Sequence, residues 1–355
     1  MLPPEAPRPT SRVILPIQYL RGIAAMMVVW FHGAEQLNGA RTLIPNSFGN
    51  SGVDIFFVIS GFIMVVTTSG TRISPLEFMR RRIIRVVPLY WLLTLAMVGA
   101  ALVAPSLFRT LIVTPVTLVE SLLFIPHYSI SFPAMAWPLL VPGWTLNFEM
   151  FFYLVFALSL ALPVRWRLPA LLVVFVALVS TGLAFGPLDS APARVYTSLI
   201  MVEFVLGAVI GTWWLRHQAE PPRAVSALAI VIGFAMLLMR NAEPLGTFTQ
   251  IIGATLLVFG ALHAAFAGWH VPLLRAVGDS SYSLYLTHVF ALGALRIVWA
   301  HLTGSSLSPL SIYGFMATAI VVCGAVGYAA WRWIETPLSR RLQSVGRRRG
   351  RRDGS

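Results

Sequence analysis

Apolar residues in this chain run in long unbroken stretches, not in alternation. Ten segments approach the length of about 20 residues that a helix needs to cross a bilayer. They are 15–37, 52–69, 84–104, 146–163, 169–186, 196–215, 224–239, 248–266, 281–301 and 311–333. Strand-type alternation is absent, which argues against a β-barrel. No internal repeat is evident, which argues against an inverted-repeat transporter. The pattern predicts an all-α protein, a polytopic membrane helix bundle of about ten transmembrane helices. One connection is long, about 105–145, and carries Pro105, Pro115, Pro126, Pro133, Pro138 and Pro142. Within it the apolar segment 109–125, interrupted by Pro115 and Glu120, predicts an interfacial or re-entrant helix that roofs one face.

Composition agrees with the pattern. The chain has 355 residues, 57% hydrophobic and 11% charged, against about 25% charged in soluble domains. Its net charge is +13, and all 26 basic residues are arginine. An even number of spans puts both termini on one side. Twenty arginines fall on that side and four opposite: Arg41, Arg109, Arg194 and Arg240. Arg21 and Arg296 lie within spans. Positive loops stay inside, so both termini are expected to be cytoplasmic. The basic balance then answers to orientation and to anionic lipid headgroups, not to nucleic acid. The expected organisation is a disordered cytoplasmic leader over 1–14, a transmembrane domain over 15–340 and a basic cytoplasmic tail over 341–355. The first run is too long and too polar for a cleaved signal peptide. The single cysteine, Cys323, excludes an intrachain disulfide. No cluster has metal-ligand spacing, and no Walker loop or GxSxG motif occurs, so no metal is expected.

Candidate chemistry sits inside the spans, where an ionisable group is costly and marks a functional site by default. Arg21 and His32 are eleven residues apart, which places both on one helix face. They lie roughly 16 Å apart along the axis, too far for contact and suited to one long ligand touched at both ends. Ala25 and Val28 lie between them on that stripe. A neutral imidazole accepts a proton near pH 7, so His32 suits a general base; a core histidine bonded to a neighbouring helix is the alternative. Glu35 can orient its ring or mark the outer interface. Glu149, read as lying at the depth of His32, can fix the tautomer as a carboxylate does in a Ser-His-Asp arrangement, or be an interfacial carboxylate.

The second span holds Asp54, a possible arginine partner, and Ser60 and Gly61, which allow close helix packing or access to a ligand. Arg80, Arg81, Arg82 and Arg85 open the third span. Lipid anchoring accounts for the run, but Arg81 and Arg85 share a face, and arginine forks suit phosphate. On the cytoplasmic side they would meet coenzyme A and nucleotides. Ser281, Tyr285 and His288 recur at helical spacing and form one polar stripe, lining a channel or bonding between helices. Trp144 fits an interfacial belt. Glu203, His263 and Arg296 carry no assigned role.

Five motifs in order resemble the acyltransferase-3 family of integral membrane O-acyltransferases, and most of all bacterial exopolysaccharide acetyltransferases. They are the Arg21/His32 pair, the run from Phe56 to Phe62, the cluster from Arg80 to Arg85, the run from Trp144 to Glu149 and that from Ser281 to His288. The resemblance covers about 15–340. It implies a multi-pass protein of the bacterial inner membrane that uses cytoplasmic acyl-CoA, usually acetyl-CoA, as co-substrate, with no bound cofactor. It implies a carbohydrate or glycolipid hydroxyl as acceptor, a catalytic His32 and an essential Arg21. Some members carry an added extracytoplasmic domain; here acceptor recognition is expected from the outer loops. In the expected mechanism the arginines hold the donor's phosphates, the pantetheine threads along the first span, and the thioester reaches His32. A rival reading is a proton-coupled exporter or flippase of lipid-linked sugars, for which buried Arg, His and Glu also serve.

Overall fold

The computed structural model describes residues 14–37, 40–44, 47–108, 110–186, 188–217, 220–239, 246–263, 268, 270–304 and 308–352. Residues 1–13 of the expected leader, and Arg109 and Arg240, lie outside the described residues. Among the described residues every regular element is helical.

Ten helices coincide with the ten apolar segments: α1 Leu15–Ala34, α2 Ser51–Thr68, α3 Pro75–Val103, then after a short α4 Pro115–Leu122, α5 Trp144–Ser159, α6 Val164–Phe185, α7 Met201–His217, α8 Arg223–Leu238 and α9 Gly246–Gly260, and after a short α10 Pro272–Asp279, α11 Ser281–Thr303 and α12 Pro309–Ala330. Among the described residues seven helices are long and apolar enough to cross a membrane, while α8 and α9 are shorter apolar helices. Gln18, Arg21 and His32 dilute the apolarity of α1. A π-helical turn, Trp331–Glu335, leads into α13 Thr336–Arg352, so the basic tail expected from 341 continues a helix.

Helix α2 lies at the centre of the bundle because glycines let its backbone meet its neighbours. A Cβ on Gly52 would sit 2.3 Å from the Ala24 carbonyl of α1, and one on Gly61 would sit 1.9 Å from the Phe204 carbonyl of α7. Gly207 of α7 answers with a Cβ position 2.0 Å from the Val58 carbonyl. Small residues at helix contacts are how bundles pack in lipid, where water expulsion drives little association. Helix α6 faces outward instead, with Val173, Val176 and Phe185 exposed to lipid.

Helix α3 begins nine residues before the apolar segment that predicts it. The Ser74 side chain accepts from the Glu77 N–H at 3.2 Å, and Pro75 occupies the first turn. That cap is strong enough to draw the arginines into the helix itself.

The long connection re-enters the bundle. Thr114 and Thr117 form a capping box that starts α4. Tyr90 donates to the Ser121 carbonyl at 3.1 Å and Trp91 to the Leu122 carbonyl at 2.7 Å. Both lie near the middle of the 29-residue α3, so α4 reaches about half-way down it. Phe124 ends α4 with φ 57°, its ring 4.9 Å from that of Tyr90. Gly143 packs on Tyr90, so α5 starts at mid-depth. That start displaces everything on α5 relative to the sequence reading.

Candidate active site

The apolar helices enclose a cavity of about 310 Å³ at the end where α1, α3 and α11 begin. Its polar wall gathers Arg21 of α1, Ser60 of α2, Arg82 and Arg85 of α3, Glu149 and Tyr153 of α5, and Ser281, Tyr282 and Tyr285 of α11. Three guanidiniums face one carboxylate, so the cavity suits an anion. Ser60 Oγ donates to Glu149 at 3.1 Å, and the Tyr153 hydroxyl also donates to Glu149. Arg21 donates to Gln18 at 3.1 Å. The Arg82 guanidinium lies 5.3 Å from the centre of the Phe78 ring and 5.8 Å from that of Tyr153. Two buried groups on this wall, Arg82 Nε and Ser281 Oγ, have no hydrogen-bond partner among the described residues. Buried polar atoms are nearly always paired, so these two mark where a ligand's polar atoms belong.

The arginine run divides. Arg80 pairs with Glu77 at 3.0 Å and Arg81 with the same carboxylate at 2.8 Å. Both turn away from the cavity, which is met by Arg82 and Arg85. The sequence reading chose Arg81 and Arg85 as the shared face; the packing of α3 rotates the face by one residue.

His32 lies outside this cavity, two residues from the end of α1. Its Nδ1 donates to Glu35 at 3.2 Å, and Arg41 pairs with the same carboxylate. A carboxylate on Nδ1 leaves Nε2 as the acceptor. The ring is about one-third exposed and stacks on His288 of α11, centroids 5.1 Å apart and planes 27° apart. His288 donates from Nδ1 to the Tyr285 carbonyl at 2.6 Å, and its buried Nε2 has no partner among the described residues.

Glu149 is therefore not the carboxylate on His32. Gly52 packs against Ala24. Ser60 lies eight residues, about 12 Å, beyond Gly52 in one direction, and His32 lies eight residues, about 12 Å, beyond Ala24 in the other. Glu149, bonded to Ser60, belongs to the Arg21 end. Its displacement follows from the mid-depth start of α5, and Glu35 takes the orienting position.

The α11 stripe joins the two centres. Ser281 and Tyr285 face the cavity and His288 faces His32. Tyr285 stands between, its ring 6.1 Å from Phe56 and 5.9 Å from His288. Its hydroxyl donates to the Pro142 carbonyl at 3.1 Å and accepts from Thr145 at 3.0 Å. The Phe56–Tyr285 pair, both lining the cavity, lies on the path expected along α1.

The remaining predicted residues divide similarly. Gly61 serves helix packing. Asp54 is buried in the first turn of α2, where a carboxylate is favoured by the helix dipole. Trp144 opens α5 against Phe57 and Phe148, inside the bundle and not in an interfacial belt. Glu203 is buried in the first turn of α7 and Arg296 is exposed on α11; neither lines the cavity. Sequence reasoning missed Tyr153, Tyr282, Gln18 and Thr145. Tyr153 was findable, four residues after Glu149 and so on its face.

Residues 15–328 match the acyltransferase domain of the acyltransferase-3 family. The chain belongs to that family. An acyltransferase of this family is a multi-pass membrane protein, as the helices require. The chain is 40% identical to the exopolysaccharide production protein ExoZ of Rhizobium meliloti (strain 1021), over 88% of this chain and 94% of that protein. It is 28% identical to the putative membrane-bound transacylase BcsY of Komagataeibacter xylinus, over 77% of this chain and 71% of the relative. Against the O-acetyltransferase OatA of Staphylococcus aureus (strain NCTC 8325 / PS 47) identity is 25%, over 91% of this chain and 56% of the relative. No solved structure matches the chain.

Proposed function

We propose that this acyltransferase moves an acetyl group from cytoplasmic acetyl-CoA to a hydroxyl of an exopolysaccharide or its lipid-linked precursor, in a bacterial inner membrane. One observation carries the reading: Arg21, Arg82 and Arg85 converge on one cavity, from which a polar stripe leads to the Glu35–His32–His288 group. The arginine-rich end faces the cytoplasm, where acyl-CoA is found. The three guanidiniums hold the donor's phosphates, since planar forks match phosphate oxygens. The pantetheine arm extends toward Tyr285, and the thioester reaches His32 when the Phe56–Tyr285 pair parts.

His32 then takes the proton of the acceptor hydroxyl on Nε2 as the oxygen attacks the thioester carbon. The new C–O bond replaces the C–S bond, and the thiolate of coenzyme A leaves with the proton returned by the imidazolium. Glu35 keeps Nδ1 protonated and stabilises the imidazolium. Family membership and the likeness to ExoZ and OatA favour this reading over the exporter. The test is transfer of labelled acetyl from acetyl-CoA to exopolysaccharide in membranes that contain the chain. Unchanged polysaccharide acetylation in a deletion strain, with export lost, would replace the enzyme by the exporter.

A further inference from the structure

A second cavity, of about 220 Å³, lies inside the re-entrant connection. It meets α3 at Met97, twelve residues beyond Arg85 and about 18 Å along the axis. It therefore opens toward the other end of the bundle from the arginine cavity. Phe132 and Trp137 form one corner, ring centroids 5.6 Å apart and inclined at 60°. Thr117, His127, Ser129 and Ser131 supply polar groups to the same wall. His127 is buried and its Nδ1 donates to the Ile125 carbonyl at 3.1 Å, so Nε2 is left as an acceptor.

We infer that this cavity is the carbohydrate acceptor subsite, a deepening that rests on the acyltransferase reading above. A pyranose ring has an apolar C–H face and a rim of hydroxyls. The inclined Trp137–Phe132 pair presents aromatic faces to the first; the hydroxyls and the imidazole answer the second. A hydrocarbon chain would fill the apolar part but make no use of the polar groups that His127, Ser129 and Ser131 bring to the wall. The position also fits. Val141 lines this cavity, and the neighbouring Pro142 carbonyl accepts from Tyr285, whose ring lies 5.9 Å from His288. The cavity wall is thus linked to the histidine pair through the Pro142–Tyr285 contact.

The test uses the full chain in nanodiscs with Trp137→Ala, Trp137→Phe and His127→Gln. The probes are cello-oligosaccharides of two to six units and de-acetylated oligosaccharides cut from the exopolysaccharide of the host strain. Saturation-transfer NMR reads sugar binding without donor; labelled acetyl-CoA reads transfer. Trp137→Ala is expected to raise the acceptor KM about tenfold or more, with the acetyl-CoA KM within about twofold. Trp137→Phe, which keeps an aromatic face, is expected to retain most affinity, and His127→Gln to weaken binding by a smaller factor. Size-exclusion profiles identical to wild type establish folding. Transfer with an unmoved acceptor KM in both Trp137→Ala and His127→Gln overturns the subsite and leaves the enzyme intact. Sugar binding that needs Trp137, without any transfer, keeps the subsite and overturns the enzyme. Neither binding nor transfer by the wild-type chain overturns both.

Discussion

His32 stacks on His288 across two helices that run side by side in one register. Gly22 of α1 faces Gly278 at the end of α10, and ten residues further along each segment the imidazoles meet. The glycine contact fixes the spacing, so the rings are held by backbone geometry as well as by their own hydrogen bonds. Replacing His32 by Ala or Gln is expected to lower transfer by about 10²–10⁴-fold, the range for a general base. The acetyl-CoA KM stays near wild type. An initial-rate series in membranes decides it; a variant with most of its activity and a normal fold removes His32 from the chemistry.

Glu35 contributes through His32. Glu35→Gln keeps the shape but loses the charge that stabilises an imidazolium, so kcat is expected to fall about tenfold or more with KM unmoved. A kcat equal to wild type would make Glu35 a mere surface charge.

The arginine run gives an internally controlled comparison. Arg82→Ala and Arg85→Ala each remove a charge from the cavity wall, worth about 1.5–3 kcal/mol per charge-assisted bond and so about 10–100-fold in acetyl-CoA KM. Arg80→Ala and Arg81→Ala release only Glu77 at the exposed helix start, a contact worth under about 1 kcal/mol. Equal effects from all four would mean that the run acts as a diffuse lipid anchor.

Tyr285 stands between the arginine cavity and His288, and its hydroxyl is pinned from both sides. Tyr285→Ala is expected to admit propionyl- and butyryl-CoA relative to acetyl-CoA by about 10-fold, the scale of a methylene or two in a tight pocket. Tyr285→Phe keeps the ring and the preference. Competition between mixed acyl-CoA donors, read by mass spectrometry of the product, measures the ratio directly.

Gly61→Ala drives a methyl into the Phe204 carbonyl and is expected to cost about 1–3 kcal/mol or more. Thermal unfolding in detergent should show a lower midpoint. Gly99 of α3 has nothing within 4 Å of its Cβ position, so Gly99→Ala should leave the midpoint equal or slightly higher, since alanine favours helix.

The helix class and the ten apolar segments were legible because lipid leaves hydropathy few alternatives. Depth was not. An apolar run reports length, and nothing in the run from Trp144 to Ser159 says that it starts at mid-bundle; the tie between Tyr90 and Ser121 decides that across the chain. Glu149 was placed beside the wrong residue for this reason. The start of α3 was available in Ser74, Pro75 and Glu77, whose spacing is that of a cap, but the arginines masked it. The rotation that turns Arg82, and not Arg81, to the cavity follows from how α3 packs on α5, which no local pattern encodes. The contact of Glu35 with His32 follows from the three-residue spacing within one helix turn.

The half-length start of α5 has a consequence for a polymer at the far surface. At that end of the bundle the connection 110–142 fills the depth that a full-length helix would otherwise occupy, tied to α3 through Tyr90 and Trp91. On the acyltransferase reading, an acceptor arriving from that end meets folded polypeptide, with its own polar groups, before it meets the histidine pair.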